Sequence, residues 1–306
     1  MIRYYYRTIK DPRPKILDDF KVGAWIYVYK PHEEEIKQLS QNFQLNSSLL
    51  KDGLDPYEVP RLEIEENALY IFARMPCPEE ENQYTIPILI ILANEFILTL
   101  SKIHLPFLEK FEENQIQFST TQKIKFFIQL LHQIIELYNQ ELLRINRHVR
   151  HLSIAPEKIR TKDILQFISF ENKLNEFLGD LIPTNNLLKR ILGGNLLRLY
   201  QQDYDLIEDL LLNTGQLIEL CKSTLKSIMN IREGYSTIMS HNLNNIMKFL
   251  TSLTVVLTIP TIIASFYGMN VRLPFSKSPI AFWGITLITV IISLTTLTWF
   301  AKKNWL

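Results

Sequence analysis

A row of mostly polar side chains follows one face of a long segment near the end of the chain. Its members are three or four residues apart, the spacing that keeps side chains on one face of an α-helix. The row consists of Asn244, Met247, Thr251, Thr254, Thr258, Thr261 and Ser265. Neutral oxygen dipoles of this kind can contact a hydrated cation without stripping its water. The row either lines a pore formed by several copies of the helix or serves close helix packing in a membrane.

Two segments are long and apolar enough to cross a membrane. No charged residue occurs from Phe249 to Tyr267 or from Ile280 to Phe300. At 1.5 Å per residue, a helix needs about 20 residues to cross roughly 30 Å of hydrocarbon. We therefore predict two transmembrane helices, the first over about residues 247–267. The polar residues of the second segment do not keep to one face, which favours an outer, lipid-facing helix.

The N-terminal part of the chain alternates strand-like and helical patterns. Residues 24–29 and 68–74 are rich in β-branched and aromatic side chains, and residues 86–100 read as a hairpin that turns at Asn94-Glu95. Residues 31–43 carry three acidic side chains at their start, which suit the positive end of a helix. These patterns predict an α+β cytoplasmic domain over residues 1–120.

Helical patterns dominate after residue 120. Residues 121–196 form a predicted cytoplasmic helical region, with one helix over Lys123–Leu152 and Pro183 at the turn of a helical hairpin. No proline occurs between Asn195 and Ile259. We therefore predict a stalk helix over residues 197–267 that continues as the first transmembrane helix, about 100 Å long if unbroken.

The predicted topology keeps both termini in the cytoplasm. Met1–Tyr6 contains no apolar signal-peptide region, and Lys302 and Lys303 follow the second span. Residues 268–279 then form a periplasmic or extracellular loop, and residues 280–306 form the second transmembrane helix with a basic cytoplasmic tail. We expect a multi-pass protein of the inner or plasma membrane.

Other features of the sequence exclude several classes of function. The formal net charge of +1 argues against a nucleic-acid partner. Cys77 and Cys221 show no paired spacing and read as reduced thiols. The acidic runs at residues 33–35 and 79–81 are typical of solvated faces. No glycine-rich phosphate loop, nucleophile elbow or metalloprotease signature is present, so we expect no enzyme and no cofactor.

The end of the first predicted span carries the sequence Tyr267-Gly268-Met269-Asn270, and a second span follows after a nine-residue loop. This arrangement resembles the CorA family of magnesium transport proteins, whose signature is Gly-Met-Asn at the end of the first of two C-terminal spans. Residues 54–63 are also similar to the cytoplasmic domain of CorA proteins, so the resemblance covers nearly the whole chain. It implies a funnel-shaped homopentamer in the lipid bilayer.

The resemblance also implies roles for individual residues. Asn270 would form a ring at the outer mouth and meet the hydrated ion, while Tyr267, Gly268 and Met269 hold its geometry. Asn244, Met247 and Leu250 would form a polar ring and an apolar gate at the cytoplasmic end. The wall between would consist of Thr251, Thr254, Thr258, Thr261 and Ser265.

A regulatory site is also implied by the resemblance. CorA proteins bind magnesium between subunits near the lower stalk, and Asp209 falls at the position of a regulatory stalk acid when residues are counted back from Asn244 without gaps. A solvated carboxylate beside Asp203, Asp205 and Glu208 is the alternative reading. The loop departs from the family pattern, because it carries Arg272 and Lys277 and no acid.

The implied function is potential-driven influx of hydrated Mg²⁺, gated by cytoplasmic Mg²⁺, with Co²⁺ or Ni²⁺ as further cargo. Related proteins that move zinc commonly carry Gly-Ile-Asn, so Met269 favours magnesium, and transport of Zn²⁺ or another transition metal on the same scaffold is the alternative. A membrane-anchored sensor or scaffold that conducts nothing is an alternative of another class.

Overall fold

The computed structural model of the protein describes residues 1–65, 68–77, 84–153, 159–194, 196–271, 280–303 and 305. The chain divides into two compact units, Met1–Asn230 and Ile231–Leu306. The elements are β1 (Ile2–Tyr6), β2 (Lys15–Leu17), β3 (Trp25–Tyr29), α1 (Glu33–Phe43), α2 (Ser47–Asp52), β4 (Arg61–Glu65), β5 (Ala68–Pro76), β6 (Thr85–Ala93), β7 (Ile97–Ser101), α3 (Pro106–Glu112), α4 (Lys123–Ser153), α5 (Thr161–Gly193), α6 (Gln201–Tyr267) and α7 (Ala281–Lys302). The expected α+β domain, long stalk helix and C-terminal helix are therefore present.

The strands form one seven-stranded sheet in the order β2-β1-β3-β7-β6-β5-β4. Neighbouring strands are antiparallel except β3 and β7, which are parallel with Trp25 opposite Ile97. The predicted hairpin is confirmed, because β6 and β7 pair with Ile91 opposite Leu98 and turn between Ala93 and Ile97. The central strands are buried on both faces, since helices cover each side.

One face of the sheet is covered by α1 and α2. Their buried residues join a hydrophobic core with Ile26, Val28 and Phe72. The opposite face is rich in aromatic rings, where Trp25 packs against Phe126 of α4 with ring centroids 5.1 Å apart. Helices α4 and α5 lie against β5 on this side. Alternating side chains of each strand thus fill two separate cores, as the pleat of a β-strand requires.

Helices α4 and α5 form the antiparallel hairpin of the helical region. Three contacts fix its register: His148 with Phe170, Glu141 with Lys173, and Tyr138 with Asp180. The residue numbers rise along one helix as they fall along the other. The connection between the two helices therefore lies between Ser153 and Thr161.

The predicted turn at Pro183 is wrong, because α5 continues through this residue to Gly193. A proline inside a helix removes one backbone hydrogen bond. Buried side chains on both sides of Pro183, among them Leu181 and Leu187, anchor the helix. Their burial favours a continuous helix despite the missing bond.

Helix α6 runs from Gln201 to Tyr267 and continues through Pro260, so the predicted continuity of the stalk helix with the first span is confirmed. Its first part packs on the α4–α5 hairpin, where Asn146 donates to the Thr224 hydroxyl at 3.1 Å and Asn185 donates to the Leu211 carbonyl at 3.1 Å. The buried positions follow steps of three and four residues. They are Asp203, Ile207, Leu210, Thr214, Leu217, Cys221, Thr224 and Ile228, and Ile218 is buried beside them. This part of α6 is thereby fixed to the first unit.

Candidate functional site

The predicted polar row lies on the second part of α6, and every member is exposed in the single chain. Its exposed members are Asn244, Met247, Thr251, Thr254, Thr258, Thr261 and Ser265, and the predicted gate residue Leu250 is exposed as well. Helices α6 and α7 are the two described helices that are long and apolar enough to cross a membrane. The row therefore lies on the surface of a candidate membrane span.

The row points away from α7. A cavity of about 720 Å³ separates the two spans, and Val256, Pro260 and Ile263 line it from α6. The α6 lining also includes Ala264 and Tyr267, and at roughly 100° per residue its centre lies about 160° around the helix axis from the centre of the Thr251–Ser265 row. One face of α6 thus meets α7, and the opposite face carries the hydroxyl groups.

Three hydroxyl groups of the row, those of Thr254, Thr258 and Thr261, donate to the backbone of their own helix. Thr254 donates to the Leu250 carbonyl at 2.8 Å, and Thr258 donates to the Thr254 carbonyl at 2.7 Å. Thr261 makes the same bond to the Leu257 carbonyl at 3.0 Å. A hydroxyl has one proton and two lone pairs, so these oxygens remain able to accept hydrogen bonds. The face therefore presents acceptor oxygens.

Helix α7 contains hydroxyl groups with similar bonds but a different distribution. Thr289 and Thr295 donate to carbonyls four residues earlier, at 2.8 Å and 2.7 Å. Thr289 lines the cavity toward α6, whereas Thr295 is exposed and does not line it. Bonding of this kind is common to both spans, so the single-sided arrangement on α6 is what sets its row apart.

The segment Tyr267–Asn270 closes the C-terminal end of α6. The Gly268 amide donates to the carbonyls of Ala264 at 2.9 Å and Ser265 at 3.2 Å, and the Met269 amide donates to the Phe266 carbonyl at 3.3 Å. The chain therefore leaves the helix through a tight turn. Tyr267, Gly268, Met269 and Asn270 are all exposed. Arg272 and Lys277 lie outside the described residues, as does the acidic run at residues 79–81.

Asp209 lies on α6 within the first unit, outside its buried stripe. Its side chain is exposed, as are those of Asp205 and Glu208. Within the described parts of the chain, no group of three or more His, Cys, Asp or Glu side chains is arranged to hold a metal ion. Within the described residues, Asp209 is therefore an exposed carboxylate that belongs to no complete cation site of one chain.

A buried polar cluster in the first unit was not predicted from the sequence. Arg74 is 7% exposed, and its Nε lies 3.2 Å from Asp180 Oδ1 and 3.0 Å from the Thr85 hydroxyl. The Tyr138 hydroxyl donates to Asp180 Oδ2 at 3.0 Å, and Thr85 donates to Glu176 at 2.7 Å. The cluster joins the sheet to the α4–α5 hairpin.

The sequence contains one signal for this cluster. Lys173, Phe177 and Asp180 follow one another at steps of four and three, which places two charged residues on the apolar face of α5. All three are buried. Burial raises the pKa of Asp180 to about 6, and the nearby Arg74 guanidinium offsets only part of this effect. Charged residues on an apolar helix face indicate partners across the interface.

Known proteins resemble the chain over nearly its whole length. The cobalt/magnesium transport protein CorA of Methanocaldococcus jannaschii is 25% identical over 299 residues, covering 94% of this chain and 93% of the relative. The magnesium transport protein CorA of Helicobacter pylori strain 26695 is 25% identical over 329 residues and both chains are covered completely.

The fold is also that of a solved structure. The complete structure of the CorA magnesium transporter from Methanocaldococcus jannaschii superposes with a TM-score of 0.87 at 23% identity, covering 100% of this chain and 99% of that one. Residues 20–303 match the model of the family described as CorA-like Mg²⁺ transporter protein. Because this match spans most of the sequence, the chain belongs to the CorA-like Mg²⁺ transporter family.

Proposed function

We propose that the protein is a divalent-cation channel whose path is lined by copies of α6. The observation that carries this proposal is the exposed row of hydroxyl groups on the face of α6 opposite the α7 cavity. Polar side chains within a membrane span usually face a bundle interior or a water-filled cavity. Among the described residues of one chain the row faces neither, so we infer that neighbouring copies of α6 surround a common axis with their rows inward.

The chemistry of the row suits a hydrated divalent ion. Water molecules bound to a cation direct their oxygens to the ion and their protons outward. Acceptor oxygens such as those of Thr254 and Thr258, whose own protons are bonded to carbonyls, complement this outer surface. Mg²⁺ loses its water reluctantly, so neutral acceptors allow faster passage than carboxylates that bind the ion directly.

Two constrictions are assigned to the ends of this path. Asn270 forms a ring at the outer mouth, positioned by Tyr267, Gly268 and Met269. At the cytoplasmic end Asn244 forms a second polar ring, and the apolar side chains of Met247 and Leu250 form the gate. Met247 and Leu250 are 53% and 54% exposed in the single chain, so neighbouring copies can bury them against each other. Contact between such apolar rings would exclude water and stop conduction.

We assign Mg²⁺ as the main cargo, with Co²⁺ and Ni²⁺ as further cargo. The names of the curated relatives, which include magnesium and cobalt transport, support this choice. Influx is driven by the membrane potential, which supplies about 4.6 kcal/mol for a divalent ion per 100 mV. No nucleotide and no bound cofactor is required. The assembly is a homopentamer in the cell membrane with both termini in the cytoplasm.

We assign closure of the channel to the binding of cytoplasmic Mg²⁺ at Asp209. Helix α6 carries both Asp209 and the lining row, so it joins the proposed cytoplasmic sensor to the proposed path as one element. Because the described part of one chain holds no complete cation site, the ligands must be completed by a neighbouring subunit. Loss of Mg²⁺ from this site would favour an open packing of the helices.

The direct test is ion uptake into sealed proteoliposomes with an internal magnesium dye and an imposed inside-negative potential. We expect potential-dependent Mg²⁺ entry with the wild type and none with Asn270→Ala. The control is Asn245→Ala, which removes an exposed amide on α6 outside the row. Its uptake should match that of the wild type.

The same assay separates the alternatives. Entry of Zn²⁺ in preference to Mg²⁺ would reassign the cargo on the same scaffold. Folded oligomers that admit none of Mg²⁺, Co²⁺, Ni²⁺ or Zn²⁺ at low internal Mg²⁺ would show that the protein is a non-conducting sensor or scaffold.

A further inference from the structure

The cavity between α6 and α7 lies on the side of α6 opposite the polar row. Its volume of about 720 Å³ falls within the range of ordinary small-molecule sites. Apolar side chains such as Ile263, Ile285 and Leu297 form most of its described lining. Val290 and Leu294 also line it and are 47% and 54% exposed, so the cavity opens at the surface of the two candidate spans. A ligand would therefore reach it from lipid and must be largely apolar.

The Ser293 hydroxyl lies in this lining and has no hydrogen-bond partner among the described residues, although its Oγ is buried. Two other hydroxyls of the lining bond to their own helix. Thr286 donates to the Phe282 carbonyl at 2.9 Å, and Thr289 donates to the Ile285 carbonyl at 2.8 Å. Ser293 lies about 18 Å from the start of α7 and about 14 Å from its end. At this depth in a membrane no water satisfies a hydroxyl, so a ligand with a hydrogen-bonding group is favoured.

Pro260 leaves a second polar group in the same cavity without its regular partner. Proline has no amide hydrogen, so the Val256 carbonyl, four residues earlier, lacks the donor that a regular helix supplies. Val256 and Pro260 both line the cavity, and this carbonyl therefore lies on the cavity face of α6. The nearby Thr261 hydroxyl donates to another carbonyl, that of Leu257. The cavity thus offers one hydroxyl and one carbonyl to a ligand.

The two polar groups lie at comparable depth. Val256 comes eleven residues before Tyr267, and Ser293 comes eleven residues after Phe282, and all four line the cavity. Each group is therefore about 16 Å along its helix from the end next to the connecting loop. A hydroxyl group has one proton and two lone pairs, so a single ligand hydroxyl can accept from Ser293 and donate to the Val256 carbonyl.

We propose that this cavity binds a lipophilic alcohol, a molecule with one hydroxyl group and an apolar body. Its hydroxyl accepts a hydrogen bond from Ser293 and donates one to the Val256 carbonyl. The apolar body packs against Ile263, Ile285 and Leu297. Such a ligand joins α6 to α7 inside the membrane. It contacts the face of α6 that points away from the row, so the site is separate from the proposed ion path.

Other occupants fit less well. A lipid acyl chain would fill the space but brings no hydrogen-bonding group to this depth. A water molecule would satisfy both polar groups, but it takes up only about 30 Å³ and leaves most of the apolar space empty. An organic ion would find no opposite charge in the described lining. A helix of a second copy would satisfy both groups only if it placed a hydroxyl or amide at the depth of Ser293.

Binding can be mapped by photolabelling of the full-length protein, assembled in lipid nanodiscs, with octan-1-ol that carries a diazirine at carbon 7. The methyl ether of this probe has the same apolar body but cannot donate to the Val256 carbonyl. We expect labelling within residues 256–268 or 282–297 that excess 1-octanol prevents. The half-saturating membrane concentration of the ether should be at least about fivefold higher, as loss of one hydrogen bond predicts. No ion flux is measured, so the result is independent of the channel proposal.

Two pairs of variants locate the site. Leu294→Trp fills the cavity and should abolish the labelling that 1-octanol prevents, whereas Leu287→Trp, at an exposed position of α7 outside the described lining, should not. Ser293→Ala should raise the half-saturating concentration of the alcohol at least about fivefold. The control Thr295→Val removes an α7 hydroxyl outside the described lining and should leave this concentration unchanged.

Three results would overturn the proposal. Absence of labelling that 1-octanol prevents would mean that a second copy of the chain covers the cavity in the assembled protein. Equal half-saturating concentrations for alcohol and ether would indicate an apolar groove for lipid chains. An affinity unaffected by Ser293→Ala would exclude this hydroxyl as a partner. If Leu294→Trp does not assemble, the Ser293 pair and the two probes still decide the question, because Ser293→Ala removes a single oxygen atom.

Discussion

The hydroxyl of Thr258 donates a 2.7 Å hydrogen bond to the carbonyl of Thr254, and both side chains are exposed on the face of α6 that points away from α7. The bond commits the Thr258 proton to the helix itself. Its oxygen is then an acceptor toward any group on that face. A row of such oxygens differs chemically from a general polar surface. Its oxygens accept hydrogen bonds from the water molecules around a cation, whose protons point outward from the ion.

Thr258→Val should lower Mg²⁺ influx at least about tenfold, which corresponds to roughly 1.4 kcal/mol in the barrier. Valine keeps the branched shape and removes the acceptor oxygen in every subunit. The control is Thr295→Val on α7, where the hydroxyl has the same kind of intrahelical bond and is exposed. Dye-based uptake into proteoliposomes measures both variants. Equal influx of the two would show that the row does not line the path.

Gly268→Ala should reduce influx while leaving the oligomer intact. A Cβ at this position would lie 3.3 Å from the Ala264 carbonyl oxygen and 3.6 Å from that of Ser265. The turn would have to shift by a few tenths of an ångström, and the proposed Asn270 ring follows two residues later. Gly284→Ala is the matched control, since a Cβ there has no neighbour within 4 Å.

Ion uptake should therefore distinguish the two glycine variants, whereas size-exclusion chromatography should not. We expect both to elute as the wild-type oligomer and only Gly268→Ala to conduct poorly. Wild-type influx through Gly268→Ala would mean that the geometry of this turn does not position the outer mouth.

Local patterns predicted much of the fold. The hairpin turn at Asn94-Glu95 and the uninterrupted α6 depend on signals within one segment, and both are confirmed. The turn at Pro183 was wrong because burial on both sides of the proline outweighs the missing hydrogen bond. Strand β1 was not predicted, since its place in the sheet depends on pairing with β2 and β3.

The candidate site also has features that one segment predicts and features that depend on packing between elements. The spacing of the Thr251–Ser265 row is a property of one helix and could be read directly. Its direction relative to α7 depends on how two helices pack, which the sequence of either helix does not contain. Lys173 and Asp180 were missed because their partners, Glu141 and Arg74, come from other elements. The partners of charged residues on a buried helix face can be identified only when the opposite surface is known.

Asp209→Ala should make closure less sensitive to internal Mg²⁺. Removing one carboxylate from each subunit should raise the half-inhibitory Mg²⁺ concentration at least about fivefold, within the usual range of coupling between sites. Glu208→Ala is the control, because Glu208 is also exposed on α6 next to the proposed ligand. Influx measured against internal Mg²⁺ checks both. An unchanged dose response for Asp209→Ala would remove this residue from the sensor.

Asp180 should make the stability of the first unit depend on pH. Burial raises its folded-state pKa to about 6 from an ordinary value of 3.8, against the opposing effect of Arg74. The folded state therefore binds the proton more tightly than the unfolded state does. The stabilisation is complete below about pH 4 and is lost as the pH rises through 6, by roughly 3 kcal/mol at most.

The amide introduced by Asp180→Asn cannot ionise. The variant should therefore not lose this part of its stability as the pH rises. Other carboxylates also titrate between pH 4 and 6.5, so the informative quantity is the difference in melting temperature between wild type and variant at each pH. We expect the difference to change in favour of Asp180→Asn as the pH rises, because only the wild type acquires the buried negative charge. Tyr138 and Arg74 remain in place to contact the amide, and Glu176 stays 3.7 Å from Arg74. Asp18→Asn, at an exposed position, is the control for the removal of one carboxylate. If the melting temperatures of wild type and Asp180→Asn differed by the same amount at every pH, Arg74 would hold the Asp180 pKa near its ordinary value.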